Sequence, residues 1–286
     1  MLSRTAPLPV SPPLLLTLVL ALAPLRWESL DEAGRAEALL KLQTLSLPER
    51  LLAASERFLG TRYGFSPLGE GEGVDPDPRL RWDSVDCVTF VEETMAVALA
   101  RRPEELLPVL DSIRYRGGTP AYTSRNHLME ADWLPANARA GYVRDVTVAL
   151  GGKDAVQAEK VLTPESWTGP AAQALALPKS TQATGRFAFG LLPLSSVLAH
   201  AGQFPSGTLL LVVREDGPRR VTRVSHLGLV VQRAGKTYLR HATSVTPKSV
   251  VDEELGHFLQ RQAHGDWKVV GVSLWEVRSP PSASHG

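Results

Sequence analysis

Two periodicities divide the chain. From Glu28 to about Gly60, Leu39, Leu40, Leu42, Leu51, Leu52 and Phe58 recur at helical spacing among charged residues. Within that stretch Ser46-Leu47-Pro48-Glu49 predicts a helix start, with Ser46 as cap, Pro48 in the first turn and Glu49 three residues on. Leu59 to Gly64 breaks the pattern, and Phe65 to Pro78, rich in Gly, Pro and acid, predicts a loop. Beyond Cys87, the positions Val88, Val91, Met95, Ala98 and Leu99 form the stripe of a helix with one buried face, capped by Ser84 or Asp86. Pro103 to Ser112 predicts a further helix.

After Thr208 the pattern is that of strands. Thr208 to Val213, Val224 to Gln232, Thr237 to Thr243 and Val269 to Val277 are apolar, β-branched runs bounded by Gly, Pro or charge, with a helix expected at Leu255 to Arg261. Helices followed by a meander of strands predict an α+β fold, with N-terminal helices packed on a C-terminal antiparallel sheet. Asp145 to Ser206 fits neither pattern for long, although Ser195 to Ala201 reads as a short helix. No repeat or linker divides the chain. The expected organisation is one domain over residues 27–278, a loop-rich insertion at about 113–206 and a disordered tail at 279–286.

The 31 Lys+Arg and 30 Asp+Glu of the 286 residues leave a formal net charge of +1. That balance, without any basic run, carries no electrostatic footprint for nucleic acid or a membrane surface. The first residues have the form of a secretory signal, expected to span 1–26: Arg4, an apolar segment from Pro13 to Pro24, then Ala21-Leu22-Ala23 as an A-x-A site. That segment falls short of the roughly 20 apolar residues of a membrane span. No cysteine near it could carry a lipid anchor. The expected location is therefore outside the cytoplasm, periplasmic or extracellular, with no stable membrane anchor after cleavage.

Export sharpens the meaning of Cys87, the only cysteine. It cannot form an internal disulfide, so it is an intermolecular link, an inert core residue or a nucleophile. At the start of a helix, unpaired N–H groups favour a thiolate, whereas the neighbouring Asp86 carboxylate disfavours it. A free thiol with a pKa of about 8.5 is only slightly ionised near neutrality, so reactivity requires a basic partner. Two histidines offer one. A hairpin turning through Arg233 to Lys236 pairs Gln232 with Thr237 and Gly228 with His241, which sets His226 and His241 on one face as diagonal neighbours about 7–8 Å apart. Half-buried structural histidines and a metal pair are the competing readings. A third metal ligand at a recognised spacing is lacking. Cys-His-polar catalysis accounts for all three residues together, with His226 as base and His241 orienting it.

One further stretch, Ile113 to Asn137, is expected to be irregular. Arg114, Arg116, Tyr122, Arg125, Asn126, His127, Asp132 and Trp133 crowd a segment with few aliphatic residues, which predicts a binding loop.

Together these motifs resemble a known superfamily. Leu59-Gly60-Thr61-Arg62-Tyr63, Asp86-Cys87, Ser225-His226-Leu227-Gly228 and His241-Ala242-Thr243, in that order, are similar to the NlpC-type cell-wall hydrolases, papain-like cysteine enzymes. Asp86 to Glu92, Arg114-Tyr115-Arg116-Gly117-Gly118, Ser124-Arg125-Asn126-His127 and Asp132-Trp133 resemble its N-acetylmuramoyl-L-alanine amidase-like branch. The resemblance implies a papain-like fold with Cys87 as nucleophile, His226 as general base and His241 as the orienting residue. It implies substrate contact for Tyr63, Asp86, Arg125, His127, Trp133 and Ser225, with Tyr63 also supporting the oxyanion. The expected substrate is peptidoglycan or its muropeptides, with no metal or organic cofactor. The superfamily's γ-D-glutamyl-diamino acid endopeptidases carry Ser after the Asp-Cys pair. Val88 stands there in this chain, which weakens that reading and fits the amide between N-acetylmuramic acid and L-alanine; the endopeptidase and a catalytically inactive cell-wall binding protein are the competing readings. Leu128 replaces the branch's usual Tyr after Arg-x-His.

Overall fold

The computed structural model describes residues 24–280. The expected signal and C-terminal tail lie outside these residues, apart from 24–26 and 279–280. The first part of the chain forms α1 (Glu32–Leu42), α2 (Leu47–Glu56), β1 (Arg62–Tyr63), β2 (Ser84–Val85), α3 (Cys87–Leu99) and α4 (Leu106–Arg114). A middle part follows with α5 (Leu134–Ala140), β3 (Val143–Asp145), α6 (Thr147–Gly151), β4 (Val156–Leu162), α7 (Pro170–Ala174), β5 (Gly185–Pro193) and α8 (Leu194–His200). The last part holds β6 (Leu209–Arg214), β7 (Val224–Arg233), β8 (Lys236–Ala242), β9 (Val250–Glu254), α9 (Leu255–Ala263) and β10 (Val269–Val277).

The main sheet is antiparallel, in the order β4-β5-β10-β6-β7-β8-β9, with β3 also paired to β10. This is the expected α+β arrangement. Both faces are covered. Leu209, Leu211, Val213, Leu227 and Leu229 pack towards Phe90, Val91 and Met95 of α3, while Leu210, Val212, Val230 and Leu239 pack with Val197, Phe258 and Leu259 of α8 and α9. Burying each large apolar side chain of α3 contributes about 1.5–3 kcal/mol. This packing fixes the helix that begins at Cys87.

The local signals at the helix starts are realised. Glu49 accepts the Ser46 N–H at 2.9 Å at the head of α2. For α3 the cap is Asp86, while Ser84 lies in β2. Asp86 Oδ1 accepts from the N–H groups of Val88 and Thr89 at 3.0 and 2.8 Å, and Thr89 Oγ1 accepts the Asp86 N–H at 2.8 Å.

The expectation for residues 113–206 is corrected. Residues 113–206 supply β4 and β5, a ribbon paired from Val156–Leu191 to Leu162–Gly185, rather than a loop-rich insertion. Its pattern is masked because Lys160, in mid-strand, is buried and neutralised by Asp216 at 2.5 Å. The ribbon reaches the rest of the sheet through two residue pairs, Gly271–Pro193 and Val272–Leu192. There a β-carbon on Gly271 would stand 2.2 Å from the Leu192 carbonyl oxygen, so glycine is required. Strand β9 was hidden by its acids. Asp252 pairs with Arg240 and Arg233, Glu253 with Arg261, and Glu254 with Lys236.

Residues 113–137 are also less irregular and more buried than expected. Tyr115, Arg114, Asn126 and Trp133 all lie in the interior. Most of their polar atoms find partners inside, Arg114 Nη2 and Asn126 Oδ1 being exceptions, and this is how a segment poor in aliphatics can be core. Tyr115 donates its hydroxyl to the Gly69 carbonyl at 3.0 Å, and Asn126 donates to that of Ile113 at 3.0 Å. Arg114 donates to Glu92 at 2.7 Å in a pair only 4% exposed on each side.

Candidate active site

Cys87 opens α3 directly after the β1–β2 pairing, in which Tyr63 stands opposite Val85. The thiol is partly buried. Burial first, then the Asp86 carboxylate, push its pKa up to about 12, against the opposing influence of the Leu227, Cys87 and Val88 backbone N–H groups. The Leu227 N–H is the structural link to the histidines, because Leu227 directly follows His226 on β7. Tyr63 lies close enough to Cys87 and Asp86 for both to act on its phenol, whose pKa rises to about 12, chiefly through burial. A phenol held protonated is a hydrogen-bond donor beside the thiol.

The hairpin register is as expected: Gln232 faces Thr237, and the ladder runs to Leu229–Arg240, one step short of Gly228 and His241. Gly228 makes the close approach possible, since a β-carbon there would meet the Arg240 carbonyl oxygen at 2.5 Å and His241 Cβ at 2.9 Å. His226 Nε2 and His241 Nδ1 are 2.8 Å apart, with the rings perpendicular and both against Phe258. Burial and then the neighbouring His241 hold His226 down at about 3. Burial and then Arg261 hold His241 down at about 4. Near neutrality the thiol and both imidazoles are uncharged. A direct thiol–imidazole hydrogen bond is absent among the described residues, and the two groups are related through Leu227.

A narrow cleft of about 130 Å³ beside the head of α3 is lined by Ser66, Asp86, Val88, Arg114, Arg125 and His127. Arg125 is held over it by Glu70 and Asp75, each at 2.8 Å, and over the Tyr122 ring at 5.2 Å. His127 Nε2 meets the Tyr122 carbonyl at 2.7 Å. Asp86 is committed to capping through Oδ1. Ser225 Oγ accepts from Arg214 Nε at 2.7 Å, at the bulge where β7 slips one residue against β6.

Trp133 is a correction. It is fully buried, donating its indole N–H to Glu92 Oε1 at 2.9 Å, and so is not a surface for substrate. Sequence reasoning also passed over Glu253, Arg261, Glu70 and Asp75. The acids of the loop before α3 carried the only hint, as a local excess of charge opposite the arginines of 113–137. Among the described residues no group of three His, Cys, Asp or Glu could hold a metal ion, and no helix is long and apolar enough to cross a membrane.

The profile of the AmiA-like family, described as N-acetylmuramoyl-L-alanine amidase-like, matches residues 53–265. A crystal structure of a Legionella pneumophila protein is similar over 87% of this chain and 95% of its own, at 23% identity and a TM-score of 0.76. An N-acetylmuramoyl-L-alanine amidase from Bacteroides uniformis is similar over 82% of this chain and 99% of its own, at 24% identity and a TM-score of 0.66. At these identities the likeness shows the fold. No curated protein matches the chain significantly.

Proposed function

The chain belongs to the N-acetylmuramoyl-L-alanine amidase-like family, and on that premise we propose that it is an exported, papain-like cysteine hydrolase of peptidoglycan fragments. Its bond would be the amide between N-acetylmuramic acid and L-alanine. Its catalytic unit would run as one domain from Trp27 to Arg278, acting in the periplasm or outside the cell after loss of the signal.

The observation that carries this reading is the meeting of Cys87, at the head of α3, with the strand bearing the 2.8 Å His226–His241 pair. His226 Nε2 is engaged by His241, which leaves Nδ1 to receive the thiol proton. The sulfur then bonds to the carbonyl carbon, and the oxyanion is met by the Cys87 N–H and the Tyr63 hydroxyl. Collapse breaks the C–N bond while His226 passes its proton to the departing amine. Water, activated by the same imidazole, hydrolyses the thioester. Because the thiol is raised and the imidazole lowered, proton transfer accompanies attack rather than preceding it as a stored ion pair.

Asp86 and Val88 bear on the choice of bond. An endopeptidase of this superfamily holds a free amine with Asp and the Ser after Cys. Here Val88 has no hydroxyl, and Asp86 Oδ1 accepts from Val88 N–H, Thr89 N–H and Thr89 Oγ1. Mass spectrometry of digested muropeptides tests the assignment. Free peptide beginning at L-Ala, with the sugar released whole, is expected. A sugar still carrying L-Ala-D-Glu would establish the endopeptidase instead. Cys87→Ser should abolish turnover with folding intact, and retained turnover would overturn the mechanism.

A further inference from the structure

The histidine pair does not end at His241. His241 Nε2 lies 3.2 Å from Glu253 Oε2, and Glu253 is gripped by Arg261 of α9, whose Nη2 and Nε donate to its two oxygens at 2.5 and 3.1 Å. The register explains the contact. On β9, Val251 stands directly opposite His241, so Glu253, two residues on, projects from the same face as its diagonal neighbour. Arg261 reaches it because α9 begins immediately after β9 and packs over that face.

We propose that Glu253, clamped by Arg261, is a positioning residue that sets the tautomers of both histidines. An ionised carboxylate only accepts hydrogen bonds, and here both oxygens of Glu253 accept from the guanidinium. The His241 proton must then sit on Nε2, leaving Nδ1 as an acceptor. His226 can bond to that acceptor only by donating from Nε2, and a neutral His226 is thereby left with a bare Nδ1. That bare nitrogen is the lone pair a general base requires. A single carboxylate thus fixes, through two rings, which nitrogen of His226 can receive a proton. The opposite tautomer of His241 would donate from Nδ1, force His226 Nε2 to accept, and place the His226 proton on the nitrogen that must be empty. The other charged groups acting on the pair are Arg214, on β6, and Asp252, beside Glu253 on β9. Neither hydrogen-bonds to a ring among the described residues.

The inference rests on the proposed cysteine mechanism for its catalytic consequence, but its structural content can be read without substrate. Long-range 1H–15N correlation of the imidazole rings near neutral pH, where both are uncharged, reports the tautomers directly. Wild-type protein is expected to show His226 and His241 both protonated at Nε2. Glu253→Ala should convert His241 to a mixture of tautomers. It should also lower kcat on muropeptides by about 10- to 100-fold with KM little changed, and Glu253→Asp should recover part of the loss. Wild-type tautomers in the Glu253→Ala protein, or an unchanged kcat, would overturn the proposal. If Glu253→Ala does not fold, Arg261→Ala, which removes the clamp from a partly exposed position, takes its place with the same readouts. Wild-type protein inert towards every muropeptide would count against the amidase reading, and the ring tautomers would then decide the role of Glu253 alone.

Discussion

At the scale of single residues, the proposed catalytic groups Cys87, His226 and His241 are stored uncharged. Alkylation of Cys87 by iodoacetamide should therefore keep accelerating as the pH rises beyond 8.5, because the thiol sits at about 12. A plateau near neutrality, the mark of a preformed thiolate, would contradict this environment. Trp133 allows a second prediction. Trp133→Phe removes the indole donor from buried Glu92 and should lower stability by about 1–3 kcal/mol in urea denaturation. KM for muropeptide should stay the same, since Trp133 does not reach the cleft. Cys87, His226 and His241 were legible in the sequence because a lone thiol and two histidines on paired strands are rare residues in a constrained register. Trp133 was misread because its partner, Glu92, lies on another helix, and no local pattern distinguishes an indole bonded inside from one offered outside.

Among the elements, α3 carries most of the organisation. It presents Cys87, the proposed nucleophile, at its head and the buried Glu92 one face along, where Arg114 of α4 and Trp133 both converge. Arg114→Met would strand the Glu92 carboxylate in the interior, and a loss of about 3–5 kcal/mol is expected from the urea midpoint. Replacing Glu92 as well, with a similarly sized apolar residue, should return much of it. Helices α2, α3, α8 and α9 were readable because caps and helical spacing are local. Strands β4 and β9 were not. Lys160 finds Asp216, and the acids of β9 find Arg240, Arg261 and Lys236, only once the chain has folded. Charge in an unpaired sequence suggests solvent; the same charge opposite its complement is compatible with a sheet.

For the molecule as a whole, the buried groups set how stability varies with pH. His226 and His241 titrate in the fold at about 3 and 4 against an ordinary 6.5. Their contribution is complete above about 6.5 and is lost as the pH falls towards 4, because the unfolded chain takes up protons that the native state refuses. Glu93, raised by burial, acts with the opposite sign, its contribution declining as the pH rises. Subtracting the stability of His226→Asn from that of wild type, in urea titrations between pH 6.5 and 4, isolates the part due to His226. That difference should shrink with acidification. The attachment of the β4–β5 ribbon has its own consequence. Seven residue pairs hold the ribbon together and two hold it to β10, at a seam that closes only because position 271 has no side chain. Cohesion is therefore of two kinds: ladder pairing binds β5 to β4, whereas Phe189, Leu191 and Leu192, buried in the two cores, bind it to the rest of the molecule. A side chain at position 271 is then expected to loosen β5 by disturbing that packing, read as a larger rise in amide exchange in β4 and β5 than in β7.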